Sequence, residues 1–167
     1  PIQLLVEGLL YDFGQLTLPL DNVDEEYLTK PKKFDVKGLQ HFMLFMGPLS
    51  SCFDLIVFAL IWYGFKAHEV AVFQTIWFTY SIVSNLVGMH VIRTAKAPFR
   101  QSHASKAVYI SSISLSIIGM IVPFTFIGKS IGLTALAPKY FSIIIGVPIL
   151  YCIVAGWAKK IYIKKYR

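Results

Sequence analysis

Long apolar stretches separated by short polar connections organise the whole chain. Five of these stretches come close to the roughly 20 residues that a helix needs to cross the hydrocarbon core of a bilayer. They are residues 1–20, 39–65, 70–92, 107–126 and 140–158. The pattern predicts an all-α fold, a polytopic transmembrane helix bundle of five spans. Because the connections are short, we expect residues 1–167 to form a single transmembrane domain.

The composition agrees with this pattern. Of the 167 residues, 56% are hydrophobic and only 15% are charged, whereas about a quarter of the residues in a soluble domain are charged. The chain therefore has too little polar surface to cover a soluble globule, and it is predicted to lie in a membrane.

Basic residues are distributed unevenly among the connections. Thirteen of the 16 Lys and Arg residues follow the first or third stretch or lie in the C-terminal tail, and the others are Lys66, Lys129 and Lys139. Since Lys and Arg in short loops accumulate on the cytoplasmic side, we expect a cytoplasmic C-terminus. The net charge of +7 is therefore a topology signal and does not indicate nucleic-acid binding. The basic tail can attract anionic lipids.

Three carboxylates interrupt the apolar stretches: Glu7 and Asp12 in the first, and Asp54 in the second. An ionised group at membrane depth is costly unless it is compensated, so such residues are candidates for an ion pathway. We rank Asp12 first. Gly8, Asp12 and Gln15 share one face of an ideal helix, whereas Glu7 points elsewhere.

The glycine beside Glu7 permits local unwinding of the first span. Unwound backbone is tolerated at membrane depth where it lines a cavity, and its carbonyl groups can then coordinate a cation. Such a break would let Glu7 and Asp12 converge. Mg²⁺ and Ca²⁺ both prefer oxygen ligands, and Mg²⁺ takes one or two carboxylates while keeping some waters. The alternative is that Asp12 forms a hydrogen bond to another helix.

Other polar residues in the spans leave more than one interpretation open. Asp54 could help form a second ion site or a proton path, or it could bond a Ser or Tyr of a neighbouring helix. Asn85 supplies a neutral oxygen and shares a face with Ser81. His90 is expected at an interface or in solvent. The serines of the fourth span are expected to make interhelical hydrogen bonds; they are Ser111, Ser112, Ser114 and Ser116.

The start of the chain resembles the sixth membrane helix of P-type cation-transporting ATPases. Residues 1–5 and 9–12, PIQLL and LLYD, are similar to that helix, whose usual pattern is Pro, an apolar residue, Gln, apolar residues and then Asn-Leu-x-x-Asp. Residues 19–24, PLDNVD, are similar to a cytoplasmic segment of the bacterial magnesium-transporting branch. Further similar segments are residues 45–54, 90–94 and 98–102.

The resemblance covers the chain and implies that its spans are the sixth to tenth helices of a ten-helix pump. The pump would be a multi-pass protein of the bacterial plasma membrane. The chain is then expected to begin partway through a longer polypeptide, whose N-terminal helices and cytoplasmic domains are its partners. Mg²⁺ would be the transported ion, and ATP would be bound with Mg²⁺ in those other domains. The sequence shows no Gly-rich phosphate loop, so we do not expect ATP hydrolysis by this stretch.

The resemblance also implies site residues. Asp12 matches the ion-binding aspartate of the helix, but Gly8 stands where the family usually has a coordinating Asn. Either Glu7 takes over that role, or a backbone carbonyl and water do. The candidate cation-binding set is therefore Asp12, Glu7, Gly8, Asn85 and Asp54, with Asp12 and Glu7 as the metal ligands.

Two alternatives remain open at the level of sequence. A P-type pump for calcium or another cation would use the same kinds of residues. A self-sufficient channel, carrier or membrane assembly module of five spans would need no upstream machinery.

Overall fold

The computed structural model describes residues 2–22, 36–94 and 102–166, and its long elements are all helices. The helices are α1 (Ile2–Gln15), α2 (Val36–Ala59, continued by a π-helical turn at Leu60–Gly64), α3 (Val70–Ile92), α4 (Lys106–Ile121), the short α5 (Phe126–Ser130) and α6 (Phe141–Tyr166). Single 3₁₀ turns lie at Leu18–Leu20, Val122–Phe124 and Pro138–Tyr140. The predicted all-α bundle is confirmed.

Four helical segments in the described part of the chain are long and apolar enough to cross a membrane. They are Val36–Gly64, Val70–Ile92, Lys106–Phe124 and Pro138–Lys164. α1 has 14 residues, and together with the 3₁₀ turn that follows it fills the first predicted stretch. The bounds of α3 coincide with those of the third apolar stretch, whereas the helix α6 continues past Ala158, the last residue of the fifth stretch.

α3 is the central helix of the bundle. On one side, Ile76 and Tyr80 belong to the core shared with α2 and α6. On the other side, Ile82 and Leu86 belong to the core shared with α1 and α4. Two glycines permit this close approach, because a Cβ atom on Gly14 would lie 2.8 Å from Leu86 Cδ2 and one on Gly119 would lie 2.9 Å from Ile82 Cγ2.

The bundle has two chemically different ends. We call the end where α3 and α6 finish and α4 begins the basic end, because Arg93, Lys106 and Lys159 lie there. At the opposite end, the distal end, Gln3 Nε2 donates to Ile131 O at 3.0 Å. The acidic segment of Asp24, Glu25 and Glu26 and the basic residues Lys30, Lys32, Lys33, Lys96, Arg100 and Arg167 lie outside the described residues.

Asp21 joins two connections at the basic end. Its Oδ2 accepts a hydrogen bond from Arg93 Nη1 at 2.7 Å, and its Oδ1 accepts one from the Ser105 amide at 2.7 Å. The two side chains of this Asp21–Arg93 pair are 11% and 5% exposed. Burial alone would raise the pKa of Asp21, but the hydrogen bonds from Ser105 and Arg93 and the Arg93 charge hold it below its ordinary value. The connections that follow α1 and α3 are thus bonded together.

Lys159 was expected in a basic tail that faces lipid headgroups, and the structure places it inside the bundle instead. Its side chain is 3% exposed. Nζ donates to Val91 O at 2.6 Å and to Thr94 O at 2.7 Å. These carbonyl groups lie at the end of α3, where the helix leaves carbonyls without intrahelical partners. Lys159 therefore caps α3 from α6.

His90 was expected at an interface or in solvent, and that expectation is wrong. His90 is 4% exposed, and its Nε2 lies 3.0 Å from Ser112 Oγ in a hydrogen bond. The reason is that α4 covers the last turn of the central helix. The predicted interhelical bonding of the serines is thus confirmed for Ser112, whereas Ser111 Oγ bonds Thr17 Oγ1, in the turn after α1, at 2.9 Å.

Candidate cation site

α1 presents two different faces to its surroundings. Val6, Leu10 and Tyr11 pack on the α3 side, whereas Gly8 and Asp12 are exposed on the other side. The helix is regular from Ile2 to Gln15, so the unwinding that Gly8 permits does not occur. As a result, the helix places Glu7 and Asp12 on separate faces and does not bring them together.

Glu7 lies on the α3 side and contacts Asn85. Asn85 Nδ2 donates to Glu7 Oε1 at 3.4 Å, at the long end of the range for hydrogen bonds. The Ser81 hydroxyl lies beside the same carboxyl group. Ser81 and Asn85 are one helical turn apart on α3, so both face α1. The structure thus joins two of the predicted site residues, Glu7 and Asn85.

Asp54 approaches the same region from α2. Its Oδ1 accepts a hydrogen bond from the buried Tyr80 hydroxyl at 3.3 Å, which is the neighbouring-helix bond anticipated as one alternative. Asp54 is also close enough to Glu7 for the two charges to repel. We call this group the polar layer. It consists of Glu7, Asp54, Tyr80, Ser81 and Asn85.

Asp12 and Gly8 stand apart from the polar layer. The Asp12 carboxylate is exposed and makes no hydrogen bond or ion pair to any residue that the structure describes. A Cβ atom on Gly8 would meet no other atom within 4 Å. Both residues therefore face away from the bundle, and the space beside them is open to further ligands.

Two cavities lie along α1, α2 and α3, one toward each end of the bundle. The aromatic cavity has a volume of about 350 Å³ and lies toward the distal end. The methionine cavity has a volume of about 460 Å³ and lies toward the basic end. The aromatic cavity is lined by Gln3, Glu7, Phe58, Phe73, Gln74 and Trp77, among others. The methionine cavity is lined by Tyr11, Met43, Met46, Gly47, Asn85 and Met89, among others.

The chemistry of the polar layer suits a hard cation that keeps part of its water. Within the described ranges, no three His, Cys, Asp or Glu side chains converge on one point. The layer instead combines the carboxylates of Glu7 and Asp54 with the neutral oxygens of Ser81 and Asn85. Such a set supplies a few direct oxygen ligands and leaves the remaining positions to water, as Mg²⁺ requires.

Tyr80 is the member of this group that sequence reasoning missed. A tyrosine within an apolar run is typical of interior packing, and its side chain is indeed 1% exposed. The sequence did carry a signal for Tyr80. A buried Tyr hydroxyl needs a hydrogen-bond partner, and the neighbouring span contains an acidic residue, Asp54, that can accept its hydrogen.

Comparison with known proteins gives a consistent result over the whole chain. Residues 1–161 match the family described as "Cation transporting ATPase, C-terminus". The chain is 42% identical over 168 residues to the "Magnesium-transporting ATPase, P-type 1" of Salmonella typhimurium strain LT2, and this match covers 99% of the chain and 18% of that protein. It is 36% identical over 169 residues to the protein of the same name from Escherichia coli K12, covering 99% of the chain and 19% of that protein. The chain thus spans about a fifth of the length of these curated relatives.

Proposed function

The chain belongs to the cation-transporting ATPase family, whose C-terminal region it matches, and we propose that it is the ion-translocating membrane part of an ATP-driven P-type magnesium transporter. The observation that carries this proposal is the 42% identity, across 99% of the chain, to a protein named as a magnesium-transporting ATPase. The half-buried carboxylates of the polar layer on apolar helices support it, because acidic residues at membrane depth are typical of ion pathways.

In this proposal the chain is one piece of a longer polypeptide, here called the full-length parent. Its N-terminal helices complete the membrane domain, and its cytoplasmic domains bind ATP with Mg²⁺ and become phosphorylated. Phosphorylation then shifts the equilibrium between two conformations that expose the ion site to opposite sides of the membrane. The protein lies in the bacterial plasma membrane, with five spans in this chain and the basic end on the cytoplasmic side. The exposed Lys160 and Lys164 of α6 can contact anionic lipid there.

Glu7 and Asp12 contact the ion from different faces of α1. Glu7 acts from the face toward α3, with Asn85 and Asp54 beside it, and Asp12 acts from the outward face that the remaining helices of the parent would cover. Mg²⁺ retains several of its waters when it binds to protein. Because α1 separates the two carboxylates, each contacts the hydrated ion at a different point of its path.

The test is the cation dependence of ATP hydrolysis and ion uptake by the full-length parent in proteoliposomes. We expect Asp12→Asn and Glu7→Gln each to lower Mg²⁺-dependent activity by about tenfold or more, as loss of a transport-site charge requires. The matched control is Glu69→Gln, which removes an exposed carboxylate just before α3 at the distal end and should leave activity nearly unchanged. Unchanged Mg²⁺ activation in Asp12→Asn would make Asp12 a structural residue. Activation by Ca²⁺ alone would refute the magnesium assignment.

Gly8 provides a second arm of the same test. Because the space around Gly8 is open, Asn fits there and restores the oxygen ligand that the family pattern has at this position. We expect Gly8→Asn to lower the Mg²⁺ concentration that gives half-maximal activity. Gly146→Asn is the control, since Gly146 on α6 is equally uncrowded and lies outside the site. An equal change in both variants would show that Gly8 has no special role.

A further inference from the structure

The turn that follows the short helix α5 lies against the first turn of α1. Leu133 N donates to Gly128 O at 2.9 Å and Gly132 N donates to Lys129 O at 3.1 Å, the pair of bonds that closes a helix in the Schellman motif. Gly132 has the left-handed backbone that this motif requires, with a φ of 85°. The two bonds do not use the carbonyl group of Ile131, which accepts a hydrogen bond from α1 instead.

Gln3 supplies the donor of that bond. Its Nε2 lies 3.0 Å from Ile131 O, within the usual range for an N–H···O hydrogen bond. A Cβ atom on Gly132 would lie 3.4 Å from the same nitrogen, so the glycine also leaves room for the amide. Val6 and Ile131 pack against the apolar cluster that contains the buried Leu133. The first turn of α1 is thus held on this turn by a hydrogen bond and by apolar contacts.

The same turn is also bonded to the central helix. Thr134 N donates to Thr75 Oγ1 at 3.0 Å, and Thr75 is fully buried on α3. The turn therefore holds α1 through Gln3 and α3 through Thr75. At the distal end, it fixes the position of one helix relative to the other.

Glu7 lies one helical turn after Gln3, on the same face of α1. Both side chains line the aromatic cavity. A rotation of α1 about its axis that moves Gln3 therefore also moves Glu7. The bond from Asn85 to Glu7 is long, at 3.4 Å, so it restrains this rotation less than the 3.0 Å bond from Gln3 to Ile131 O.

We propose that Gln3 is a positioning residue for Glu7, because its hydrogen bond to Ile131 O sets the rotation of α1 that turns Glu7 toward Ser81 and Asn85. This inference rests on the proposed function, in which Glu7 contacts the transported cation. Gln3 does not touch the cation in this role. It strengthens binding because Glu7 is already oriented before the ion arrives.

The first experiment measures Mg²⁺ transport by the full-length parent in proteoliposomes at saturating ATP. Gln3→Met keeps the length of the side chain but removes its amide donor. We expect the Mg²⁺ concentration for half-maximal transport to rise about threefold, the factor that corresponds to an average interhelical hydrogen bond in a membrane. The maximal rate should stay nearly unchanged. Gln74→Met is the matched control, since it alters an exposed amide of the same cavity, and it should change neither quantity.

A double-mutant cycle separates positioning from a general loss of stability. If Gln3 acts through Glu7, Gln3→Met should cause no further rise in the half-maximal Mg²⁺ concentration of Glu7→Gln. Gly132→Ala should repeat the effect of Gln3→Met, because alanine is strained at a φ of 85°. The effects of Gly132→Ala and Gln3→Met should not add. Gln3→Asn, whose shorter side chain falls short of Ile131 O, replaces Gln3→Met if that variant does not fold.

Three results of these measurements would overturn the positioning role. The first is an unchanged half-maximal Mg²⁺ concentration in a folded Gln3→Met or Gln3→Asn variant. The second is an equal rise in Gln74→Met, and the third is a full additional rise when Gln3→Met is combined with Glu7→Gln.

A distance measurement tests the position of α1 without transport. Spin labels are attached to Leu5→Cys on α1 and Val70→Cys at the start of α3, both exposed, in a parent whose own cysteines are replaced. We expect Gln3→Met to broaden the distance distribution and Gln74→Met to leave it unchanged. The proposed function fails by a different result, namely a parent that shows no Mg²⁺-dependent ATP hydrolysis. In that case a broadened distribution still supports the positioning of α1 by Gln3, and an unchanged one overturns it.

Discussion

The basic end and the polar layer both hold carboxylates, but they hold them in different ways. At the basic end, Asp21 receives two hydrogen bonds of 2.7 Å, one of them from a guanidinium group. In the polar layer, Glu7 and Asp54 receive bonds of 3.4 and 3.3 Å from uncharged donors. The carboxylate at the basic end is thus held by short hydrogen bonds, and the carboxylates of the polar layer are held by long ones.

This difference separates fixed contacts from adjustable ones. Short bonds in which one partner or both are charged are about twice as strong as neutral ones, and at the basic end they join connections and cap α3 through Lys159. Long bonds to neutral donors leave the carboxylates of the polar layer ready to exchange partners. The helices can therefore keep their places at the basic end while ligands change near the middle of the bundle.

The largest expected effect comes from breaking the Asp21–Arg93 pair. Arg93→Met leaves a mostly buried carboxylate without its cation, and we expect it to lower the free energy of unfolding by about 3 kcal/mol. Thermal unfolding of the full-length parent in detergent measures the loss. Lys106→Met is the control, since Lys106 is an exposed cation at the same end. A loss below that of the control would contradict the view of this pair as a fixed contact.

Lys159→Met should have the next largest effect. The methionine side chain has a similar length but cannot donate to Val91 O and Thr94 O, so two carbonyl groups at the end of α3 lose a charged donor. We expect a loss of about 2 kcal/mol in the free energy of unfolding. The adjacent Lys160 is exposed, and Lys160→Met should change stability little. Similar melting temperatures for the two variants would refute the capping role.

The Asp21–Arg93 pair also predicts a pH dependence. The pKa of Asp21 in the folded protein lies below its ordinary value of 3.8, so its ionised form is stabilised by folding. This contribution is complete above the ordinary pKa and is lost as the pH falls through the lower pKa of the folded state. The difference in melting temperature between the unaltered protein and Asp21→Asn should be constant above about pH 5 and shrink below about pH 4. A difference that persists at the lowest pH would refute this coupling.

The smallest expected effect is in the polar layer. A double-mutant cycle of Glu7→Gln and Asn85→Ala should give a coupling energy near 0.6 kcal/mol, which is about the average for interhelical hydrogen bonds in a membrane. The four proteins of the cycle are compared by thermal unfolding in the same detergent. A coupling as large as that of the Asp21–Arg93 pair would remove the contrast between the two regions.

The helices of this fold were largely predictable, because spans of apolar residues carry a strong signal. α3 begins at Val70 and ends at Ile92, as the apolar stretch indicated. The last apolar stretch ends at Ala158, where hydropathy falls, while the helix α6 continues to Tyr166. A charged residue ends an apolar stretch in the sequence, but in the structure Lys159 finds carbonyl groups inside the bundle.

The candidate site was predictable in its residues and less so in its arrangement. The helical wheel separated Glu7 from Asp12, and the regular α1 keeps them apart. Which face turns inward could not be read from the wheel, because both faces are mostly apolar. The packing of Gly14 against Leu86 turns Glu7 toward Asn85 and leaves Asp12 outside.

The unequal lengths of the helices have a consequence for the surrounding lipid. α4 with the 3₁₀ turn that continues it has 19 residues, and α6 has 26, which correspond to about 30 and 39 Å. A hydrocarbon core of about 30 Å matches the first and is thinner than the second. α6 is therefore expected to tilt or to project beyond the apolar region, whereas the segment Lys106–Phe124 fits the bilayer as it is. A change in bilayer thickness should therefore change the tilt of α6 relative to α4.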